Sequence, residues 1–423
     1  MMLIFVTGKS MSKTLFHQVK HYLLWISLLC MEAGFISGRA VVSIGTIVFV
    51  VTAFADEDLF RKLRQFYSSF AYWSVQLLFI LPFLSFFWST NKTEWRAVMQ
   101  LKLPLLLLPA AFYLSKDFFS KENVKCLLLF AIAVGCIGSG WSFVHYLLNS
   151  KAINNSYLVA KIFATPMGDE HIKFSQFCAI CILFLLMTRK EFVKQWQKLL
   201  WGFLVIWFVL YLHVLAARMG ILMLYVLMAL YFLFYLFRKK TSWIKVGELF
   251  LVIMLCVASY MVLPTLKNRI QYNRWDFEQY SSGNFLAGLN DAPRVLSLRA
   301  GYEIFQSHPI IGIGAGDIKQ SLYNWYEVHH PQYPPEERMY LNNEWLTYAC
   351  SNGLMGLLIF TLVVCYPLGA AWRYKRKEYL FIHLLMLCSF FVDVTLNSQY
   401  SILFYTLLVY LTQRYTEWNE PQA

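Results

Sequence analysis

Charge is what this sequence has least of. Only 14% of its 423 residues are Asp, Glu, Lys or Arg, against 58% hydrophobic, whereas soluble domains carry roughly 25% charged residues. That balance excludes an ordinary soluble globule. Phe70–Ser89, Met219–Phe237 and Trp345–Trp372 contain no charged residue at all. About 20 such residues cross a bilayer as a helix, because only a helix satisfies its own backbone there. The marks of other classes are also missing. No cluster of His, Cys, Asp or Glu has metal-ligand spacing, so no metal is expected, and no other cofactor is indicated. All nine cysteines fall in or beside apolar spans, and Cys178 and Cys181, a C-x-x-C on a membrane helix, read as buried small hydrophobes rather than a redox pair. Hydrophobic spans continue throughout the chain, which argues against a signal peptide; Met11 offers an alternative start.

What is present is an all-α pattern. The expected spans lie near 22–37, 40–55, 70–89, 98–115, 126–148, 173–188, 199–216, 219–237, 246–264, 345–372, 379–395 and 398–413. Pro104, Pro109 and Pro367 punctuate two of them, which neighbouring helices tolerate. The chain thus divides into a membrane region at 1–264, a long polar loop at 265–344 and a second membrane region with a short tail at 345–423.

The net charge of +13 is unevenly placed. With the N-terminus in the cytoplasm, 22 of the 37 Lys and Arg fall on the cytoplasmic side and eight in the short outer loops and span ends. The other seven lie in the long loop, which the positive-inside rule does not cover. This bias puts both termini in the cytoplasm and the loop outside. The basic balance is therefore topological and not a nucleic-acid footprint.

Among short connections, one long exception directs attention to itself. Residues 265–344 hold Arg269, Arg274, Arg294 and Arg299, carboxylates, His308, His329 and His330, and aromatics including Trp275, Trp325, Tyr326 and Tyr340. Tyr and Trp faces suit sugars or lipid headgroups and arginines suit phosphate; an interfacial aromatic belt with solvated charges uses the same residues. The stretch Arg294–Asp317 reads as an amphipathic helix ending at His308-Pro309, then a turn with Gly312, Gly314 and Gly316. Those glycines permit close backbone approach to a phosphate or to a neighbouring helix. No strand–turn–helix context supports a nucleotide motif.

"RVLSLRAGYEIFQSHPIIGIGAGD", a variable aromatic stretch, then "LNNEWLTYACSNGLMGLLIF" resemble the signature of the O-antigen ligase and polymerase superfamily. "LAARMGILMLYV" resembles its span-opening arginine motif, and "FLSFFWSTNKTEW" its early outer-loop segment. The resemblance implies a metal-independent, GT-C-like membrane glycosyltransferase of the bacterial inner membrane, acting in lipopolysaccharide biosynthesis. Such enzymes take a glycan from undecaprenyl pyrophosphate on the periplasmic face. A ligase moves it to lipid A–core; a polymerase moves it to another lipid-linked repeat.

In that reaction an acceptor hydroxyl attacks the anomeric carbon while a highly charged pyrophosphate leaves, so preorganised cations lower the barrier most. Arg218 matches the span-opening arginine and Arg294 the loop arginine 15 residues before the proline. Arg299, further along the same helix, and His171, at an outer helix start, are further donor-binding candidates. All four also suit an interfacial role. The sequence departs from the ligase pattern at Asn342-Asn343-Glu344, where Asn342 replaces the expected histidine. An amide orients a hydroxyl but takes no proton at neutral pH. Glu344 is the nearest replacement base; His329 or His330 folding back, or an activated donor needing little base assistance, are the alternatives. His145, His213 and His383 lie in spans and are expected to make helix contacts. A polysaccharide flippase or other transporter is the non-enzyme alternative. Glu32, Glu248 and Asp393 lie in or beside spans, as that reading needs, but no internal repeat is evident.

Overall fold

The computed structural model describes residues 2–159, 163–168, 170–238, 254, 257–283, 289, 291–333, 335 and 338–418. Its regular structure there is helical, with one isolated bridge between Thr165 and Gly168. The first helices are α1 (Met2–Ser37) and α2 (Arg39–Phe54), then α3 (Leu59–Tyr67), which leaves α2 at 105°. Next come α4 (Phe70–Phe87, with 3-10 turns), α5 (Lys92–Leu114) and α6 (Lys121–Leu148). They are followed by α7 (His171–Met187), α8 (Gln195–Leu215) and α9 (Arg218–Arg238). The cap helices are α10 (Pro264–Ser281), α11 (Asp291–Ser307) and α12 (Ile318–His329). The chain ends in α13 (Glu344–Arg373), α14 (Lys377–Val392) and α15, the last made of Gln399–Leu403, a π-helical turn Phe404–Leu408 and Val409–Trp418.

The expected count of twelve spans is not confirmed. Among the described residues seven helices are long and apolar enough to cross a membrane, or eight if the bent pair α2–α3 is one span. The shortfall has local causes. α14 has only 16 residues, and α15 is interrupted by its π turn. Most of the expected span 246–264, with Glu248 and the basic residues Lys161, Lys239, Lys240 and Lys245, lies outside the described residues. What is described of that span ends at Leu263, whose extended backbone precedes Pro264 at the start of α10.

The central element is α7, buried along most of its length between α6, α8, α9 and α14. Small residues let helices close on it. A Cβ at Gly138 would meet the Phe174 ring at 2.9 Å, and one at Gly220 would meet Ser175 at 2.6 Å. Cys178 and Cys181 are buried here as free thiols. His213 bonds the Val209 carbonyl and the Tyr225 hydroxyl, both at 2.7 Å, as a helix contact.

Ion pairs sort by end. At one end Asp56 holds Lys20 and Lys62, Lys125 meets Glu191, and Glu417 holds Arg376 and Arg414. At the other Glu170 holds Arg39, Asp393 holds Lys173 and Asp291 holds Arg218. The cap helices stand at this second end, away from the larger basic group.

Candidate functional site

The cap is fastened by the segments that the sequence motifs single out. After α11 the chain runs through Pro309–Asp317 and lays its backbone against a break in α13. Ile313 and Gly314 N–H groups donate to the Cys350 and Ser351 carbonyls at 2.8 and 3.0 Å, and Leu354 N–H donates to the Pro309 carbonyl at 2.7 Å. Gly353 breaks α13 with a φ of 62°, and Gly312 approaches with a φ of 73°. A Cβ on Gly312 would lie 2.5 Å from the Cys350 carbonyl oxygen. The glycines therefore serve a neighbouring helix. Asp317 completes the clasp: its carboxylate accepts from Thr90 N–H and Oγ1–H, both at 2.6 Å, and from Asn91 N–H at 2.8 Å. It sits at the start of α5, where the helix dipole favours a negative charge.

Beside this clasp, arginines from three helices converge. α8 and α9 are joined by Ala216 and Ala217, with Ala216 in the left-handed region at a φ of 49°, a conformation costing roughly 1–2 kcal/mol for a residue with a Cβ. The tight turn puts Arg218 at the first position of α9. Its guanidinium pairs with Asp291 and donates to Asn273 Oδ1 at 2.5 Å. Arg269 of α10 is buried, and burial together with the charge of Arg218 holds its pKa down to about 10. Arg294 of α11 is lowered by burial and then by Arg218, against the opposing pull of Asp393, Asp291 and Asp276. Asp276 is fully buried and accepts the Asp291 N–H at 2.9 Å, fixing the start of α11. Arginine stays protonated under such shifts. Their meaning is first that these cations have lost water and second that they lie near Arg218, costs that a bound anion relieves.

The predicted donor-binding set is thus only partly assembled. Arg218 and Arg294 share the cluster. Arg299 does not: five residues after Arg294, it lies about 140° around the helix and pairs with Glu303 at 3.0 Å on an exposed face. His330 ends α12 on that other side, its ring 5.5 Å from Trp325, with its pKa lowered by burial, His329 and Arg299. His329 stacks on Trp325 at 4.6 Å. His171 opens α7, next to Glu170 and two residues before Lys173.

The Asn342–Glu344 stretch is held tightly. Asn342 Nδ2 lies 3.4 Å from Ser297 Oγ, and Ser297 in turn donates to the Arg294 carbonyl at 2.8 Å. Asn342 therefore stands one helical turn from the arginine cluster. Asn343 caps α13, accepting the Leu346 N–H at 2.9 Å, and donates to the Phe391 carbonyl at 3.1 Å. Glu344 is fully buried, with Lys102 Nζ at 3.5 Å and the Leu396 N–H at 3.1 Å on its two oxygens.

Sequence reasoning did not select Arg269, Lys173 or Asp393 for the site. An open cleft of about 440 Å³ is lined by Glu170, Lys173, Tyr340, Asp393, Asn397 and Ser398, and Asp393 acts electrostatically on Arg294. The signal for Lys173 and Asp393 was two opposite charges at the outer ends of apolar helices, whose pairing shows only in three dimensions.

No curated protein matches this chain. Residues 203–361 match the family model described as O-Antigen ligase, a stretch that contains Arg218, Arg269, Arg294, the glycine turn and Asn342–Glu344. The apolar helices mark a multi-pass membrane protein. Residues 203–361, from within α8 to the middle of α13, are thus similar to the O-Antigen ligase family.

Proposed function

We propose that the chain transfers a glycan from a polyprenyl-pyrophosphate donor to a hydroxyl of lipid A–core, at the periplasmic face of the bacterial inner membrane. One observation carries this reading: Arg218, Arg269 and Arg294, from three helices, converge, with Asp291, Asp276 and Asp393 as nearby counter-charges. The donor pyrophosphate takes the place of Asp291 on Arg218 and accepts from Arg294, so the charge growing on the leaving group meets donors already in position. Bond formation between the acceptor oxygen and the anomeric carbon accompanies cleavage of the bond to the pyrophosphate, which departs with the electron pair.

The acceptor hydroxyl's proton needs a destination. Glu344 was the nearest carboxylate in sequence, but it has no solvent access and accepts the Leu396 N–H, so we assign it to holding the 393–398 turn. Asp393, which lines the open cleft, is the carboxylate we propose as proton acceptor. Asn342, beside Ser297, orients the hydroxyl. Because an amide stands where the ligase pattern has histidine, a repeat-unit polymerase is the second reading.

Arg218→Ala tests the site. Expressed at normal level in a strain lacking the native gene, it should abolish transfer of glycan to the cell surface, and full activity would remove the phosphate role. The lipopolysaccharide ladder of the deletion strain separates the two acceptors: loss of every capped form indicates a ligase, and a cap of one repeat indicates a polymerase.

A further inference from the structure

At the opposite end of the bundle, α4, α5, α13, α14 and α15 enclose a second cavity of about 120 Å³. It lies among the basic residues of that end, away from the arginine cluster and the cap. At about 30 Å³ per water, it holds roughly four waters, the size of a polar headgroup region rather than an acyl chain.

Its rim is cationic. Arg414 pairs with Glu417 at 2.7 Å, and Glu417 also meets Arg376 at 3.3 Å. The Lys116 ammonium lies 4.8 Å from the Tyr113 ring centre, with no carboxylate partner within 4 Å among the described residues. Deeper in, the wall carries polar atoms without partners. His383 and Tyr405 are each 3% exposed, and among the described residues neither His383 Nε2 nor Tyr405 Oη has a hydrogen-bond partner. An unpaired buried hydroxyl or imidazole is destabilising, so two at one cavity wall mark a place for acceptors from outside the chain. Tyr405 belongs to the π-helical turn Phe404–Leu408, a distortion frequent at functional sites. Pro109 and Pro367 stand on the same wall, each removing a main-chain donor from its helix.

The order of these features is the order of groups along one kind of molecule. Cations stand at the rim, two donors lie deeper, and aromatic and apolar side chains lead on toward the middle of the bundle. Tyr405 is nine residues before Arg414, about 13 Å along the helix, part of which the two long side chains span. We propose that this cavity binds an anionic diacyl glycerophospholipid of the leaflet at the basic end. Its phosphate meets Lys116 and Arg414, and its ester carbonyls accept from His383 and Tyr405. Basic pockets between membrane helices on that side suit acidic headgroups.

The full-length protein, purified in detergent, tests this by native mass spectrometry and thermal denaturation with added lipid. Phosphatidylglycerol should be retained and should raise Tm more than phosphatidylcholine or ether-linked phosphatidylglycerol. Lys116→Gln should weaken phosphatidylglycerol binding at least fivefold. His383→Phe should erase the preference for ester over ether linkage while Lys116-dependent binding persists. Equal retention of phosphatidylcholine, or unchanged binding by Lys116→Gln, overturns the proposal. So does equal stabilisation by inorganic phosphate, which indicates a free-anion site, or by a polyprenyl phosphate, which has no ester carbonyls. If His383→Phe does not fold, Tyr405→Phe gives the same comparison with one oxygen removed. None of these readouts depends on glycan transfer.

Discussion

Arg218 and Asp291 each occupy the first position of a helix, one in the membrane body and one in the cap, and their side chains pair across the boundary. A cation at a helix N-terminus opposes the helix dipole, so Asp291 supplies a compensation that the backbone withholds. The pair also ties the orientation of α11, and with it Arg294, to the end of α9. A donor phosphate that takes over Arg218 would loosen that tie.

Arg218→Ala should lower glycan transfer at least 100-fold, the scale for losing one preorganised donor to a developing anion. Arg218→Lys should recover only a small part, because a point charge lacks the planar fork that grips two oxygens. Asp291→Asn should fall between wild type and Arg218→Ala. Transfer measured with purified donor and acceptor orders the three variants; equal activity of Lys and Arg at position 218 would contradict the bidentate role.

The Lys102–Glu344 pair links α5 to the first turn of α13, with both side chains almost inaccessible. Removing either partner leaves a buried charge alone, at a cost of about 3–5 kcal/mol. Lys102→Met or Glu344→Gln should therefore lower Tm in detergent, and the double variant should recover much of the loss. Activity falling in step with Tm marks Glu344 as structural. Loss of transfer in Glu344→Gln at unchanged Tm would return it to the role of base.

Gly312→Ala should prevent the cap from docking, because its Cβ would meet the Cys350 carbonyl at 2.5 Å and its φ of 73° disfavours a side chain. Gly202 is the control: a Cβ there meets nothing within 4 Å inside α8. Gly202→Ala should be neutral or raise stability by up to about 1 kcal/mol. Limited proteolysis between α10 and α12 reports cap docking in both variants.

His330 gives the cap a pH dependence. Burial, His329 and Arg299 lower its pKa in the folded protein, so the unfolded chain binds more protons between the folded value and the ordinary value near 6.5. Cap stability from this group is full above about pH 6.5 and falls as pH drops toward the folded value. The hydrogen-exchange protection factors of α12, taken relative to the intrinsic rate at each pH, should fall below pH 6.5 and lose most of that dependence in His330→Gln. Protection factors unchanged between pH 7.5 and 5.5 would contradict it.

Several features were legible in the sequence because they are sums over local windows. Twenty uncharged residues in a row point to a membrane helix from local composition alone, and the Lys and Arg excess in alternate connections gives an expectation for the cytoplasmic end. The order of the motifs from Arg218 to Glu344 pointed to the family. The position of Arg299 was also within reach, since helical period alone separates it from Arg294. The span count was less legible, because a helix break such as the π turn at Phe404–Leu408 leaves no mark in an apolar stretch.

The tertiary structure decided the chemistry of the candidate site. Glu344 and Lys102 are 242 residues apart, and nothing local foretells that a carboxylate at the mouth of a helix is neutralised rather than presented to substrate. Arg269 reads in sequence like Arg274, yet one is buried in the cluster and the other is exposed on Glu278. A charge's role depends on its desolvation and on its nearest counter-charge, and both are set by helices that meet only when the chain has folded.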